Sequence, residues 1–416
     1  MVAYTFNSMD RSIISIIAPS MKADLRLSDT QLGLLGGTAF AMLYAFGGVA
    51  IARLSERVSR VDIIAAALVV WSALTVLCGT AGNFIQLFAM RAGVGVAEAG
   101  CTPPAHSLIS DYFQPSRRTS ALSIYSCGIS FGYILAAVVG GYVAEHLGWR
   151  IACAVVGVPG IATALLIKGI VHEPPRDSAS AAPFSLRHEL RELRAVVRML
   201  LSDRPILHMV LGVVIGAFAA YGFYAFMPLY FTRTFGLGSA AVGIIAAISG
   251  GVTVGLGILA GGLMADGLAR RSARWYALVP AIGGLIALPF YAAAVVAANW
   301  VTAACALSMA GFFQYASLGP TFGAVQNVTD RGRRATATAL LYIALSVIAL
   351  GLGPLFTGWV IDRFARDATP ALATRYGLAV TLGFFAWAAL HYFLAAAGIA
   401  NSLRAAAASS VQSDSM

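Results

Sequence analysis

Four charged residues stand where water is scarce: Asp10, Arg11, Arg91 and Glu98. Arg91 and Glu98 lie in the run RAGVGVAEAG, with NFIQLFAM before it and CTPPAHSLI after it. Seven residues apart in a helix, they share one face, separated by roughly 10 Å along the axis. Asp10 and Arg11 are adjacent, so they point about 100° apart and are not expected to pair with each other. Desolvation favours the neutral form of a carboxyl, and a neighbouring guanidinium favours the charged form. A carboxyl balanced between the two binds and releases a proton. Asp10 and Glu98 are therefore the proton-coupling candidates. Arg11 and Arg91 are candidates for counter-ions or for binding the anionic group of a substrate. The same four residues also suit a static network that only fixes packing.

The elements that must hold them are membrane spans. The chain has 416 residues, 59% hydrophobic and 11% charged, against about 25% charged in soluble domains. Its mean hydropathy is +0.80. The net charge is +10, yet the basic residues occupy short gaps between apolar runs, which excludes a nucleic-acid partner. Twelve apolar runs of about span length lie near 2–20, 32–54, 61–81, 83–110, 119–144, 150–171, 205–231, 239–265, 275–297, 299–327, 335–361 and 373–401. The first lacks a cleavage site and reads as a span rather than a signal peptide. Cys78, Cys101, Cys127, Cys153 and Cys305 all fall in apolar runs and read as small buried side chains. His208 and His391 read as isolated, hydrogen-bonded helix residues. The glycines of GVGVAEAG do not fit a dinucleotide fingerprint and read as sites of close helix packing. No nucleophile–base pair, metal-ligand cluster or phosphate loop is present in the pattern, so neither an enzyme, a metal nor a cofactor is expected.

The domain plan follows from the gaps. Residues 1–171 form an N-terminal six-helix bundle and 205–402 a C-terminal one. Residues 172–204 form a linker and 403–416 a disordered tail. The linker opens Pro- and Ser-rich. It then becomes an amphipathic helix, with Leu186, Leu190, Leu193 and Val197 on one stripe and Arg187, Arg191, Arg194 and Arg198 opposite, suited to an anionic membrane surface. Outside gaps hold only Lys22, Arg26, Arg150, Arg233, Arg363, Arg366 and Arg375. Apart from Arg11, Arg91 and Lys168 within spans, the remaining basic residues fall on the other side. The positive-inside rule then places both termini in the cytoplasm. The chain also repeats: ARLSERVSR at 52–60 and GLMADGLAR at 262–270 follow the second and eighth spans at an offset of 210 residues. Two six-span halves with a parallel repeat are a transporter plan.

That loop resembles the signature G-x-L-A-D-R-x-G-R-R of the major facilitator superfamily, with Ala52, Glu56, Ser59 and Val61 departing from it and Arg57 and Arg60 retained. The first half resembles the spinster branch more closely. The resemblance rests on the Asp10-Arg11 pair, the R-x-x-V-G-x-x-E-A pattern from Arg91, and the S-D-Y-F-x-x-x-x-R loop at Ser110. It implies an all-α fold of twelve transmembrane helices, with two six-helix bundles related by a pseudo-two-fold axis and a cavity lined by the first, fourth, seventh and tenth. It implies transport of sphingosine phosphate or lysophospholipids. It also implies a gate-and-signature group of Glu56, Arg57, Arg60, Asp111, Arg118 and Asp266.

On that plan the charges fall on two cavity helices. The seventh and tenth carry apolar and aromatic groups instead. Tyr125, Tyr221, Tyr224, Phe226, Phe312, Gln314 and Tyr315 are the lining candidates. A cavity charged on one wall and apolar on the other suits an amphipathic substrate. The expected protein is a monomeric, multi-pass, proton-coupled lipid transporter in the inner (plasma) membrane of a bacterium, with a lipid-like substrate, protons and membrane lipids as partners. A drug or organic-anion exporter of the same fold and a passive facilitator or scramblase are the alternatives. Import or export, symport or antiport, stay open at this point.

Overall fold

A computed structural model of the chain describes residues 1–44, 47, 51, 58–174, 186–330 and 333–414. Among these, every regular element is helical. A helix pairs its backbone N–H and C=O groups within one segment, as lipid requires. Helix α1 is Val2–Leu25, longer at its C-terminal end than the apolar pattern indicated. Helix α2 covers residues 29–44. Then follow α3 (Arg60–Cys78), α4 (Phe84–Glu98), α5 (Thr102–Tyr112), α6 (residues 115–146) and α7 (Trp149–Ile170). The linker helix α8 is Leu186–Ser202. The remainder is α9 (Arg204–Phe235), α10 (Ser239–Ala269), α11 (Trp275–Val296), α12 (Trp300–Tyr315), α13 (Leu318–Val328), α14 (residues 334–364), α15 (Pro370–Ala396) and α16 (Ile399–Asp414).

Nine helical stretches among the described residues are long and apolar enough to cross a membrane. The three remaining spans of the twelve-helix plan have separate reasons for falling outside that set. The first carries Asp10, Arg11, Lys22 and Asp24. The second lies partly outside the described residues. The fourth is divided into α4 and α5, of 15 and 11 residues, and carries Arg91, Glu98 and Asp111. Pro103 and Pro104 cause that division, since neither can donate a backbone N–H to the preceding turn. The tenth span is divided likewise, between α12 and α13 with Pro320 just past the break. Each broken span starts on an asparagine cap: Asn83 accepts from the Gln86 N–H and Asn299 from the Thr302 N–H.

The chain forms two compact units. One comprises Met1–Ala181, Gly222–Val252 and Leu350–Gly377. Its core holds Phe40, Leu68, Trp71, Val94, Cys101 and Ala164. The other comprises Ala182–Tyr221, Thr253–Ala349 and Leu378–Met416. Its core holds Val196, Ile206, Met209, Ala281, Leu341, Tyr392 and Ile399.

Three readings of the sequence change here. The linker helix buries Val196 and Leu200 in the core of the second unit, and the tail expected to be disordered from 403 is helical as far as Asp414 in α16. Cys127 and Cys305 are exposed, so only Cys78, Cys101 and Cys153 are small buried side chains. His208 and His391 are not isolated: their Nδ1 atoms lie 2.8 Å apart, a hydrogen bond joining α9 to α15.

Candidate functional site

The four charges of α1 and α4 come together within the first unit, and they pair crosswise. Arg11 Nη2 donates to Glu98 Oε2 at 3.1 Å and to Asn7 Oδ1 at 3.3 Å. Arg91 Nη1 lies 3.7 Å from Asp10 Oδ2. Asp10 also accepts a hydrogen bond from the Thr75 hydroxyl of α3. Asp10 and Arg11 thus face different neighbours, as their helical spacing requires.

Close backbone packing makes this geometry. A Cβ on Gly95 of α4 would come 2.5 Å from the Phe40 carbonyl oxygen, so only glycine lets α2 approach this near. That approach carries the Phe40 ring to 4.5 Å from the Arg11 guanidinium and 5.8 Å from that of Arg91. Tyr44 adds a second ring at 5.0 Å from Arg11. A guanidinium over aromatic faces keeps its charge while losing water. Gly132 of α6 does the same for α1, lying against Thr5 and Ser8. Ser8 then donates to the Ile129 carbonyl at 2.7 Å.

Exposure divides the two arginines. The Arg11 side chain is 32% exposed, whereas its partner Glu98 is fully buried. Arg91 is 1% exposed. Its three side-chain nitrogens find no hydrogen-bond acceptor among the described residues, and neither do Glu98 Oε1 and Asp10 Oδ2 find a donor. Arg11 is therefore the more exposed of the two guanidinium groups, and Arg91 is the interior cation beside Asp10.

The expected lining residues separate. Tyr125 is buried, stacked on Tyr4 at 4.5 Å and edge-on to His106 at 5.4 Å. Tyr224 of the first unit donates to the Ser249 carbonyl at 3.3 Å, and Phe226 is buried beside it in sequence. Tyr221, Phe312, Gln314 and Tyr315 belong to the second unit. There Phe312 packs edge-on to Phe313, and Gln314 is 7% exposed. Gln314 precedes the break in the tenth span as Glu98 precedes the break in the fourth, at the same offset of 216 residues that relates Asn83 to Asn299. One broken span carries the carboxyl and the other its uncharged isostere.

Of the signature group, Arg60 and Asp111 meet at 2.5 Å. Arg60 also donates to Ser107 at 2.8 Å and to Glu173 at 2.7 Å. Glu173 further accepts from the Val61 N–H at 3.1 Å and caps the start of α3. Asp266 accepts from the Tyr276 hydroxyl at 3.0 Å. Glu56, Arg57 and the side chain of Arg118 lie outside the described residues. Sequence reasoning missed Thr75, Phe40, Tyr44 and Glu173. Phe40, Tyr44 and Thr75 look like ordinary span residues. Glu173 had a signal, since it is the acid that immediately follows the sixth span.

The family model for the Major Facilitator Superfamily matches residues 1–354. An MFS-type efflux pump of Mycolicibacterium smegmatis is 30% identical over 400 residues, 94% of this chain and 90% of the pump. A hexuronate transporter of Bacillus subtilis is 23% identical over 370 residues, 87% of this chain and 86% of its own length. Among solved structures, a bacterial homologue of the human lysosomal transporter Spinster, inward-facing and unoccupied, superposes with a TM-score of 0.85 at 29% identity over 96% of both chains. Its inward-facing, occupied form gives 0.83 at 29% identity over 94% of both chains.

Proposed function

Because the chain belongs to the Major Facilitator Superfamily, in its spinster-like branch, we propose that it moves an anionic, amphipathic lipid by proton-coupled alternating access. The coarser statement needs no proposal: the chain is a multi-pass membrane transporter of small molecules, not an enzyme. The finer reading rests on one observation. An accessible guanidinium, Arg11, holds a fully buried carboxylate, Glu98.

Consider an anionic headgroup arriving at Arg11. It competes with Glu98 for the same N–H groups. A carboxylate that loses its counter-ion inside a dry helix bundle costs several kcal/mol, about 3–5 for a broken buried pair. Taking up a proton removes that cost. Headgroup binding and protonation then favour each other, which is thermodynamic coupling between two ligands. Asp10 stays neutralised by Arg91 and held by the Thr75 hydroxyl. Headgroup recognition falls to Arg11 rather than Arg91, which is closed to solutes. The name of the hexuronate transporter supports an anionic substrate.

The proposal keeps the functional halves at 1–171 and 205–402, acting as a monomer in the inner (plasma) membrane of a bacterium with both termini in the cytoplasm. A drug or organic-anion exporter of the same fold is the second reading, supported by the name of the efflux pump. Proteoliposomes with an imposed pH gradient test the coupling, using uptake of a fluorescent lysophosphatidic acid. Wild type is expected to respond to the gradient, and Glu98→Gln to fall to gradient-independent flux. Arg11→Lys is expected to weaken substrate affinity, since lysine cannot offer a planar fork. Wild-type flux that ignores the gradient, or a Glu98→Gln variant that keeps gradient-driven uptake, removes the proposal in favour of a passive facilitator.

A further inference from the structure

Two carboxylates that the transport proposal does not use occupy matching places at one end of the first unit. Asp362, near the C-terminus of α14, accepts from the Asp29 N–H at 2.9 Å, the Thr30 N–H at 2.7 Å and the Thr30 hydroxyl at 2.6 Å. Glu145, near the C-terminus of α6, accepts from the Ala240 N–H at 2.7 Å. Thr30 and Ala240 each follow the first residue of their helix, and they are 210 residues apart, the offset of the loop repeat. The two contacts are therefore one device used twice. Each carboxylate comes from the opposite half of the chain to the helix it caps. Asp362 of the second half caps α2 of the first, and Glu145 of the first half caps α10 of the second.

The helices give these caps a reason to exist. First-turn N–H groups have no acceptor within their own helix, and the helix dipole adds to the attraction of an anion. Gly238, at the cap position of α10, has no side chain to supply one. Ser28 caps α2 only through the Gln31 N–H. Behind the caps, the same helix pairs touch backbone to backbone. Gly33 and Gly37 of α2 lie against Pro354 and Leu350 of α14. Gly141 of α6 lies against Ser239 and Gly243 of α10. Asp29, at the start of α2, is also held by Lys22 of α1 at 2.9 Å and Arg233 of α9 at 2.9 Å. Each of the four helices carries one π-helical segment: Leu34–Thr38, Ala136–Gly140, Ala247–Val252 and Leu345–Leu350. Such segments strain the hydrogen-bond ladder and mark places where a helix bends or re-registers.

We propose that Asp362 and Glu145 form a paired latch, made across the two halves of the chain, that holds this end of the transporter closed and releases as a unit. The latch deepens the alternating-access reading above and does not depend on proton coupling. A latch differs from two local caps in one respect. Losing one carboxylate must loosen the helix capped by the other.

Hydrogen exchange on the full chain in lipid nanodiscs reads this directly. Glu145→Gln is expected to speed exchange of the first-turn amides of α10 about fivefold, the factor for one lost cap. It is also expected to speed exchange of the Asp29–Gln31 amides, nowhere near residue 145 in sequence. Asp362→Asn is expected to do the reverse. Asp24→Asn serves as the control, because Asp24 pairs with Arg150 within the first half of the chain, and both caps are expected to stay protected. Faster exchange confined to the helix whose own cap was removed overturns the latch, as does unchanged exchange at both caps in a variant that melts like wild type. Wild-type uptake that ignores the gradient, with the cross-effect intact, would overturn proton coupling alone, so the two failures are separable.

Discussion

Asp10 and Arg11 are neighbours in sequence and take different partners in the structure. Asp10 turns to Thr75 and Arg91, and Arg11 turns to Glu98 and the Phe40 and Tyr44 rings. The consequence is two ion pairs of unequal access. Asp10 and Arg91 are 2% and 1% exposed, so neither has water to replace a lost partner. Removing one member of a buried pair strands the other, at a cost of about 3–5 kcal/mol, whereas removing both is often close to neutral. Arg91→Leu is therefore expected to melt well below wild type. The double variant Asp10→Asn, Arg91→Leu is expected to recover a large part of the loss. Thermal unfolding in one detergent measures both, and a single variant that melts with wild type contradicts the pairing. The sequence showed which residues were charged and that they belonged together. It did not show which acid meets which base, because that depends on the register between α1, α3 and α4, and intrahelical spacing does not encode it.

At the scale of elements, glycine placement decides how near two helices come. Gly33 and Gly36 lie three residues apart on α2 with opposite surroundings. A Cβ on Gly33 would come within 3.0 Å of the Pro354 backbone, while one on Gly36 meets nothing within 4 Å. Overpacking of a tight contact costs typically 1–3 kcal/mol. Replacing glycine in an open helix position gains up to about 1 kcal/mol. Gly33→Ala is expected to lower the melting temperature and Gly36→Ala to leave it equal or higher. The same result for both would mean that α2 and α14 do not touch as described. The twelve-span plan, the loop repeat and the glycine-rich packing were legible in the sequence, because hydropathy, offset and small residues are properties of the chain itself. The π segments and the matched breaks of the fourth and tenth spans were not. A π segment leaves no composition signal, and Pro103, Pro104 and Pro320 lay inside runs that read as continuous by hydropathy. In the linker helix, likewise, Val196 and Leu200 pack into a core that the sequence does not display.

For the whole molecule, orientation gives the site and the latch their meaning. Lys and Arg crowd one set of gaps, with Arg270, Arg271, Arg274, Arg333, Arg334 and Arg404 in the second half alone. Translocating such residues is disfavoured, so the crowded side is expected to stay in the cytoplasm. On that orientation the capped ends, at the loops after α1, α6, α9 and α14, face outward. Closure there is what a transporter open to the cytoplasm requires, and release of both caps is what admits exchange with the outside. An epitope tag appended after Met416 decides the matter in intact cells, spheroplasts and inside-out vesicles. The tag is expected to be protected from added protease in spheroplasts and cleaved in inside-out vesicles. The opposite pattern would place the caps on the cytoplasmic side. It would leave their chemistry unchanged and reverse the step of the cycle they control: the latch would then hold in the outward-open state, and Glu145→Gln would favour opening towards the cytoplasm.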